Sequence, residues 1–239
     1  KKMRHAPEKI FVASIMPCTA KKYEISRCEE MSASGYQDVD VSLTTRELAR
    51  MIHQSGINFA ELVDEEADSI LGEYTGAATI FGVTGGVMEA ALRTAYYVLT
   101  GGKRANIELD NVRGFNGIKE GALLINGITV KVAVVHGLGN VAYVLDRVRK
   151  AKENNEELPY HFIEVMACPG GCIAGGGQPY GVTNEIRTAR ANGLYQDDRS
   201  CAIRYSHENP LVRQLYSEYI ESPLSERAHH LFHTKYTAL

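Results

Sequence analysis

Two stretches of this chain place cysteines where a soft metal could use them. The first is Met16-Pro17-Cys18-Thr19-Ala20-Lys21-Lys22. The second runs from Glu164 through Met166, Cys168 and Cys172 to Gly175-Gly176-Gly177-Gln178-Pro179. In the first, an apolar run ends at Pro17 and delivers Cys18 with a lysine three residues on. Strand ends are where open α/β sheets present ligand-binding groups. By itself Cys18 reads equally well as a buried thiol, a common core residue. In the second stretch two cysteines lie four apart among five glycines. Iron-bound thiolates draw backbone N–H donors close to sulfur, and glycine permits that approach because it lacks Cβ. Hydrogen bonds to sulfur stabilise its charge and help set a reduction potential. Zinc sites and thioredoxin-like redox pairs usually place their cysteines three apart. No histidine stands at a zinc spacing nearby, and His161, on the preceding strand, is expected to be structural. The four-residue spacing alone is a weak signal. Glycines flanking Cys172 and the run that follows are a much stronger one.

The elements that must position these residues can be read from periodicity and turn chemistry. Lys9 to Ile15 reads as a buried strand. Thr44 to Gln54 reads as a helix with a threonine cap and a stop at Gly56. Thr84 to Leu99 repeats apolar residues at helical spacing. Ala122 to Ile125 and Ile128 to Val135 flank Asn126-Gly127, the strongest two-residue hairpin signal. Val141 to Ala151 is a helix that dissolves into a polar run. Phe162 to Met166 is a short buried strand leading to Cys168. Helical pieces are expected near 183–191, 210–220 and 224–233. Strands and helices alternate, so the fold class is α/β, with layered β-sheets flanked by helices.

The bulk numbers set bounds. The chain has 239 residues, 44% hydrophobic and 23% charged, with a formal net charge of −3. That charge is too near neutral to argue for nucleic acid or an anionic membrane as partner. No apolar run approaches a bilayer span, and no signal segment opens the chain. Five cysteines form an odd set in a chain too large to need disulfide staples. Thiols or metal ligation in a reducing, cytoplasmic compartment is the better reading. The opening Lys1-Lys2-Met3 does not read as a natural initiator, so a cropped, split or processed chain is expected.

Both cysteine segments resemble signature motifs of the iron-only (FeFe) hydrogenases, of the form MPCxxKxxE and ExMxCxxGCxxGGGQP. Met16, Pro17, Cys18, Lys21 and Glu24 fit the first. Glu164, Met166, Cys168, Gly171, Cys172, Gly175, Gly176, Gly177, Gln178 and Pro179 fit the second. Between them, Phe81 to Ala90 is similar to the family's FGxTGGVMEAA segment. The tail, with Arg204 to Pro210, Ser225-Glu226 and His233, is similar to a part that some members carry as a separate small subunit. A catalytic portion over 1–182 and a helical small-subunit-like segment over 183–239 are therefore expected, in a fold of iron-only hydrogenase large-subunit type built around a buried metal cluster.

The resemblance implies a six-iron H-cluster, in which a 4Fe-4S cubane shares a thiolate with a two-iron subsite carrying CO, CN and a bridging dithiolate. It makes Cys18 and Cys168 cubane ligands and Cys172 the bridge. It pairs Lys21 with a cyanide ligand, places Met16 and Met166 around the two-iron unit, and sets Phe81 over its carbonyl side. Lys22 is expected to lie on the surface with no role. Cys28 and Cys201 match no cluster position and are expected to be ordinary thiols. Thr84-Gly85-Gly86 could form an anion site at a helix start, though the family motif accounts for it better. The pair His229 and His233 is expected to lie on a solvated terminal helix.

The family's Thr-Ser-Cys-Cys-Pro motif does not occur in these residues. The fourth cubane ligand and the proton-relay cysteine are therefore expected upstream or on a second chain. The implied reaction is 2H⁺ + 2e⁻ ⇌ H₂, with an electron carrier such as ferredoxin as partner. The alternatives are a non-catalytic relative in iron–sulfur cluster assembly and a hydrogen-sensing hydrogenase.

Overall fold

The structure is a computed structural model that describes residues 5–27, 31–32, 35–65, 68, 73–103 and 108–233. Its strands are β1 (Ala13–Met16), β2 (Val41–Thr44), β3 (Ile118–Ile125), β4 (Ile128–His136) and β5 (Phe162–Met166). Its helices are α1 (Lys21–Glu24), α2 (Thr45–Gln54), α3 (Gly76–Thr79), α4 (Gly86–Thr100), α5 (Leu138–Glu153), α6 (Asn184–Ser200), α7 (Pro210–Leu215) and α8 (Glu226–Phe232). The expected α/β class is what the chain forms. No described helix is long and apolar enough to cross a membrane.

The chain gathers into two compact units, neither of them a continuous stretch. One takes its residues from Lys1–Ala67, Gly176–Tyr180 and Arg213–Leu239, the other from Asp68–Gly175 and Gly181–Val212.

The larger unit is built on the sheet β3-β4-β5. The hairpin forms at Asn126-Gly127 as expected, but β3 starts at Ile118, four residues before the expected Ala122. β5 joins β4 in parallel, with Val134 opposite Glu164 and His136 opposite Met166. Side chains alternate across a strand, and the two faces bury different cores. Val132 and Val134 pack with Met88, Leu92, Leu109 and Val112 on the α4 side. Ala133 and Val135 pack with Val144 and Tyr160, and with partly buried Val141 and Val148 of α5, on the other. Three layers result, with the sheet between α4 and α5.

The far side of α4 is polar yet buried. Arg93 reaches Glu89 at 2.5 Å and Asp198 of α6 at 2.8 Å. Arg113 reaches Glu89 at 2.8 Å, and Arg204 reaches Asp198 at 2.5 Å. These pairs explain why α6 runs on to Ser200 instead of stopping near Ala191. Its last turns are held by the Asp198 ion pairs and by Ala191, Leu194 and Tyr195 packing on Val83 and Ile173. Burial pushes the Asp198 carboxyl up, but hydrogen bonds from Arg93 and Arg204 outweigh it and hold it below its ordinary value.

In the smaller unit β1 and β2 pair in parallel from Ala13↔Val41 to Met16↔Thr44. The strand expected over Lys9–Ile15 is displaced: a 3₁₀ turn takes Pro7–Lys9, and regular pairing starts only at Ala13. Nor is this strand buried. Among the described residues β1 pairs with β2 alone, and Phe11 stays 73% exposed. α2 opens with the expected Thr44 cap, extended into a capping box: Thr44 accepts from the Glu47 amide and Glu47 accepts from the Thr44 amide.

Replacing Arg93 by Met should leave Glu89 and Asp198 buried beside a lost cation. Breaking such a network typically costs about 3–5 kcal/mol. Denaturant unfolding should show a loss of that order, larger than for Arg149→Met, where the pair with Asp146 is solvent-exposed.

Candidate metal centre

The cysteine pair of the larger unit lies past the C-terminal end of β5. The chain leaves the strand at Met166, turns through Cys168 to Gly171, and enters a 3₁₀ turn over Cys172–Ala174. Within the turn the Gly171 amide donates to the Cys168 carbonyl at 3.0 Å, and the Gly175 amide to that of Cys172 at 2.9 Å. Cys168 is half-buried and Cys172 exposed.

Three structures press on this turn. The first is the loop before α4. The Thr84 amide donates to the Gly170 carbonyl at 3.1 Å. Gly171 has φ +97°, and a Cβ there would lie 2.6 Å from the Thr84 nitrogen, 2.9 Å from the Gly82 oxygen and 3.0 Å from the Met166 sulfur. Met166 thus lies against the turn that carries Cys168 and Cys172, and so does the backbone of Gly82; Phe81, the residue before Gly82, is 45% exposed. The second is α6, whose Arg190 donates to the Ile173 carbonyl at 2.6 Å. The third is His136. Its Nδ1 faces the Gly170 amide at 3.4 Å and its Nε2 the Phe115 carbonyl at 3.2 Å. Burial lowers its pKa. A neutral ring with its proton on Nε2 satisfies both contacts.

Behind the turn sits Glu164, 5% exposed. Its carboxylate accepts the Gly85 amide at 2.6 Å and the Met88 amide at 2.7 Å. The anion at the start of α4 that Thr84-Gly85-Gly86 could have bound is therefore supplied by the chain itself. Burial raises the carboxyl's pKa, opposed by these amides and by Lys119.

The third cysteine lies in the smaller unit. Cys18 follows β1, and the Gly176–Tyr180 run packs on it. The Gly177 amide donates to the Pro17 carbonyl at 3.0 Å. A Cβ on Gly177 would stand 2.7 Å from the Cys18 nitrogen and 2.9 Å from the Met16 oxygen. Arg46 binds the Gln178 carbonyl and lies 4.1 Å from the Tyr180 ring centroid. Lys21 pairs with Glu24 on α1. Lys22 is not the idle surface lysine expected. Its ammonium bridges the Ser42 carbonyl and the Glu47 carboxylate, each at 2.9 Å, tying α1 to β2 and the α2 cap. The Thr44 amide, then Lys22, hold the Glu47 carboxyl down at about 2.

The remaining described candidates have local partners of their own. His161 accepts the Lys131 amide at 3.0 Å, a structural role as expected. Cys201 caps the end of α6 beside Asp197. His229 and His233 contact each other at 3.0 Å. Cys28 lies outside the described residues. Sequence reasoning missed Lys119, Thr84, Arg190 and His136 as supports of the turn. For Lys119 a signal existed: it alternates with Gly121 and Leu123 on the inward side of its strand.

Among the described residues no three His, Cys, Asp or Glu side chains converge as a metal site. The larger unit holds Cys168 and Cys172, and the smaller one Cys18. The donor chemistry nevertheless suits an iron–sulfur group: soft thiolates stand beside backbone held so close that no Cβ would fit.

Comparison with known proteins fits this geometry. Residues 1–176 match the model of the iron-only hydrogenase large subunit, C-terminal domain, and residues 184–239 that of the iron hydrogenase small subunit. The chain belongs to the iron-only hydrogenase large-subunit family. It is 48% identical over 230 residues to the NADP-reducing hydrogenase subunit HndD of Solidesulfovibrio fructosivorans, covering 96% of this chain and 38% of that one. It is 46% identical over 235 residues to iron hydrogenase 1 of Clostridium pasteurianum, covering 96% and 40%. The cytosolic iron-sulfur assembly component 3 of Rattus norvegicus is 32% identical over 241 residues, covering 98% and 48%. A solved [FeFe]-hydrogenase, HydA(deltaEFG), superposes with a TM-score of 0.79 at 38% identity over 99% of this chain and 65% of that one. The chain thus spans about two fifths of the length of the curated hydrogenases it matches.

Two outcomes follow from the supports of the cysteine segments. Gly171→Ala must place a Cβ against the Thr84 amide at positive φ, a strain of about 1–3 kcal/mol, to be read as a lowered unfolding midpoint. For Glu47, whose carboxyl sits below its ordinary 4.5 at about 2, the contribution is complete above about 4.5 and is lost as pH falls toward 2. Amide exchange at Thr44 and Glu47 should accelerate across that window, and in Glu47→Gln this acid dependence should disappear.

Proposed function

We propose that this chain supplies three cysteine ligands of a six-iron H-cluster in a hydrogenase that catalyses 2H⁺ + 2e⁻ ⇌ H₂. Cys18 and Cys168 would hold the 4Fe-4S cubane, and Cys172 would bridge it to the two-iron subsite with its CO, CN and dithiolate ligands. When bound, that group would supply the metal at which protons and electrons combine. The observation that carries the reading is the pair of glycine contacts. Gly171 against Thr84 and Gly177 against Cys18 leave both cysteine segments with backbone so close that no side chain fits, and glycine is the residue that lets backbone donors come near a metal-bound thiolate.

The residues of the chain have distinct tasks in this reading. Cys172, the more exposed thiol of its turn, would be shared between the two metal units. Met166 would lend a polarizable, non-acidic wall to the two-iron unit, as would Met16 beside Cys18, and Phe81 would lie over its carbonyl side. Lys21 would leave Glu24 to pair with a cyanide ligand, a charge-assisted contact worth roughly 1.5–3 kcal/mol. The fourth ligand and the proton relay would come from a segment bearing Thr-Ser-Cys-Cys-Pro, either upstream or on a second chain. A ferredoxin-like carrier would exchange electrons, and the compartment would be the cytoplasm. The higher identity to hydrogenases than to the assembly component, 46–48% against 32%, supports catalysis over an assembly role.

The chain and a polypeptide carrying the missing motif, reconstituted with iron and sulfide and then loaded with a synthetic two-iron complex bearing CO, CN and a bridging dithiolate, should evolve hydrogen from reduced viologen and show protein-bound carbonyl and cyanide infrared bands. The chain alone should do little of either. Absence of those bands in the complete system would place it with the assembly relatives. Cys172→Ala should lose the bands while keeping part of the cubane absorbance, and Lys21→Met should weaken them. Cys201→Ser should leave iron unchanged.

A further inference from the structure

Lys119 is a buried lysine, 7% exposed, in the middle of the layered unit. The register places it in a row with Val134 and Glu164 across three adjacent strands, all on the α4 face. Its ammonium donates to the Gly114 carbonyl at 2.7 Å and the Thr84 carbonyl at 3.1 Å, with the Thr84 hydroxyl at 3.5 Å. Every one of these acceptors is neutral. Glu164, the nearest acid on this face, spends both oxygens on amides of α4, and among the described residues the two form no ion pair. Burial pulls the ammonium down to about 8, against the raising pull of Glu164.

Thr84 connects this cation to the cysteine turn, since its amide binds the Gly170 carbonyl. Around the same turn stands a second cation, Arg187, whose Cδ would be 3.1 Å from a Cβ on Gly170 and whose buried Nε has no partner. His136 feels both cations and is held neutral by burial. The surroundings of the turn thus hold three cations, Lys119, Arg187 and the Arg190 that binds the Ile173 carbonyl, with a neutral imidazole and one carboxylate already neutralised by a helix start. A buried charge needs an opposite charge or it costs free energy. The ligand this environment fits is an anion, and an iron–sulfur group on cysteine thiolates is one.

We propose that Lys119 is a positioning and charge-tuning residue for that group: its buried ammonium, relayed through Thr84, stabilises negative charge on the Cys168–Cys172 turn. The inference rests on the iron–sulfur reading above and adds to it a residue outside every cysteine motif. It carries a sign that a structural role lacks. If Lys119 only braced Thr84 and Gly114, its removal would weaken the fold itself. As a charge-tuning residue it costs stability in the metal-free protein and is compensated by the bound group.

Lys119→Met keeps the length and deletes the charge, and Lys119→Gln also keeps a hydrogen-bond donor. Both should leave the thermal midpoint of the metal-free chain unchanged or raised. After reconstitution with ferrous iron and sulfide in the presence of the polypeptide that carries the Thr-Ser-Cys-Cys-Pro motif, both should lose iron to a chelator about tenfold faster than the wild-type chain treated alike, the lower end for a lost partner of a metal ligand. Both should also shift the cubane's midpoint potential to more negative values, because the reduced form carries one more negative charge. Lys119→Arg should restore retention and potential. Wild-type retention and potential in Met and Gln, or a metal-free fold that collapses in both, would overturn the assignment. Cys168→Ala is run beside them: if it keeps its iron, the cluster reading itself fails, independently of Lys119.

Discussion

The carboxylate of Glu164 is the joint on which the larger unit depends. It belongs to the strand that delivers Cys168, and it is bound by two amides at the start of α4. One buried anion thereby fixes the end of a strand, the start of a helix, and the loop between Gly82 and Thr84. That loop sets the cysteine turn, because the Thr84 amide and the Gly82 carbonyl meet Gly171 with no space for a side chain. A helix start is a favourable place for an anion. Burial disfavours the charge, and the opposing amides and lysine give this carboxylate only one good position.

α4 carries charge along its buried far side as well. Along the contact row Arg113, Glu89, Arg93, Asp198 and Arg204 the charges alternate in sign, and they connect α4 with α6 and the loop before β3. Apolar residues would fill such a space with comparable stability. What the ions add is a fixed alignment of α6, and α6 brings Arg190 to the Ile173 carbonyl and Arg187 to Gly170. The segment that matches the small-subunit family therefore supports the cysteine turn of the large-subunit part directly.

The smaller unit solves the same problem with less structure. A two-stranded sheet and a short helix would hold Cys18 loosely. The Gly176–Tyr180 run stiffens them by lying on Pro17 and Cys18 and by bonding to Arg46. The chain passes from Cys172 to this run within a few residues, so the glycines after the second cysteine serve the first.

Much of this was legible in the residues themselves. The Asn126-Gly127 hairpin, the Thr44 cap of α2, the strand Phe162–Met166 and the glycines around Cys172 are local signals, written within a few positions of where they act. The two cysteine segments, together with the Phe81–Ala90 stretch, were enough to point to the family. Lys9–Ile15 misled because an apolar run resembles a buried strand whether or not partners cover it. Lys22 misled because its partner, Glu47, lies on another element. The charge pattern of the site was decided by the tertiary structure alone. Glu164 meets α4 across 79 residues, Arg93 meets Asp198 across 105, and Lys119 meets Thr84 across 35. Periodicity places a residue on a face, but a buried charge is tolerable only beside a particular partner, and which partner that is depends on sheet register and helix packing.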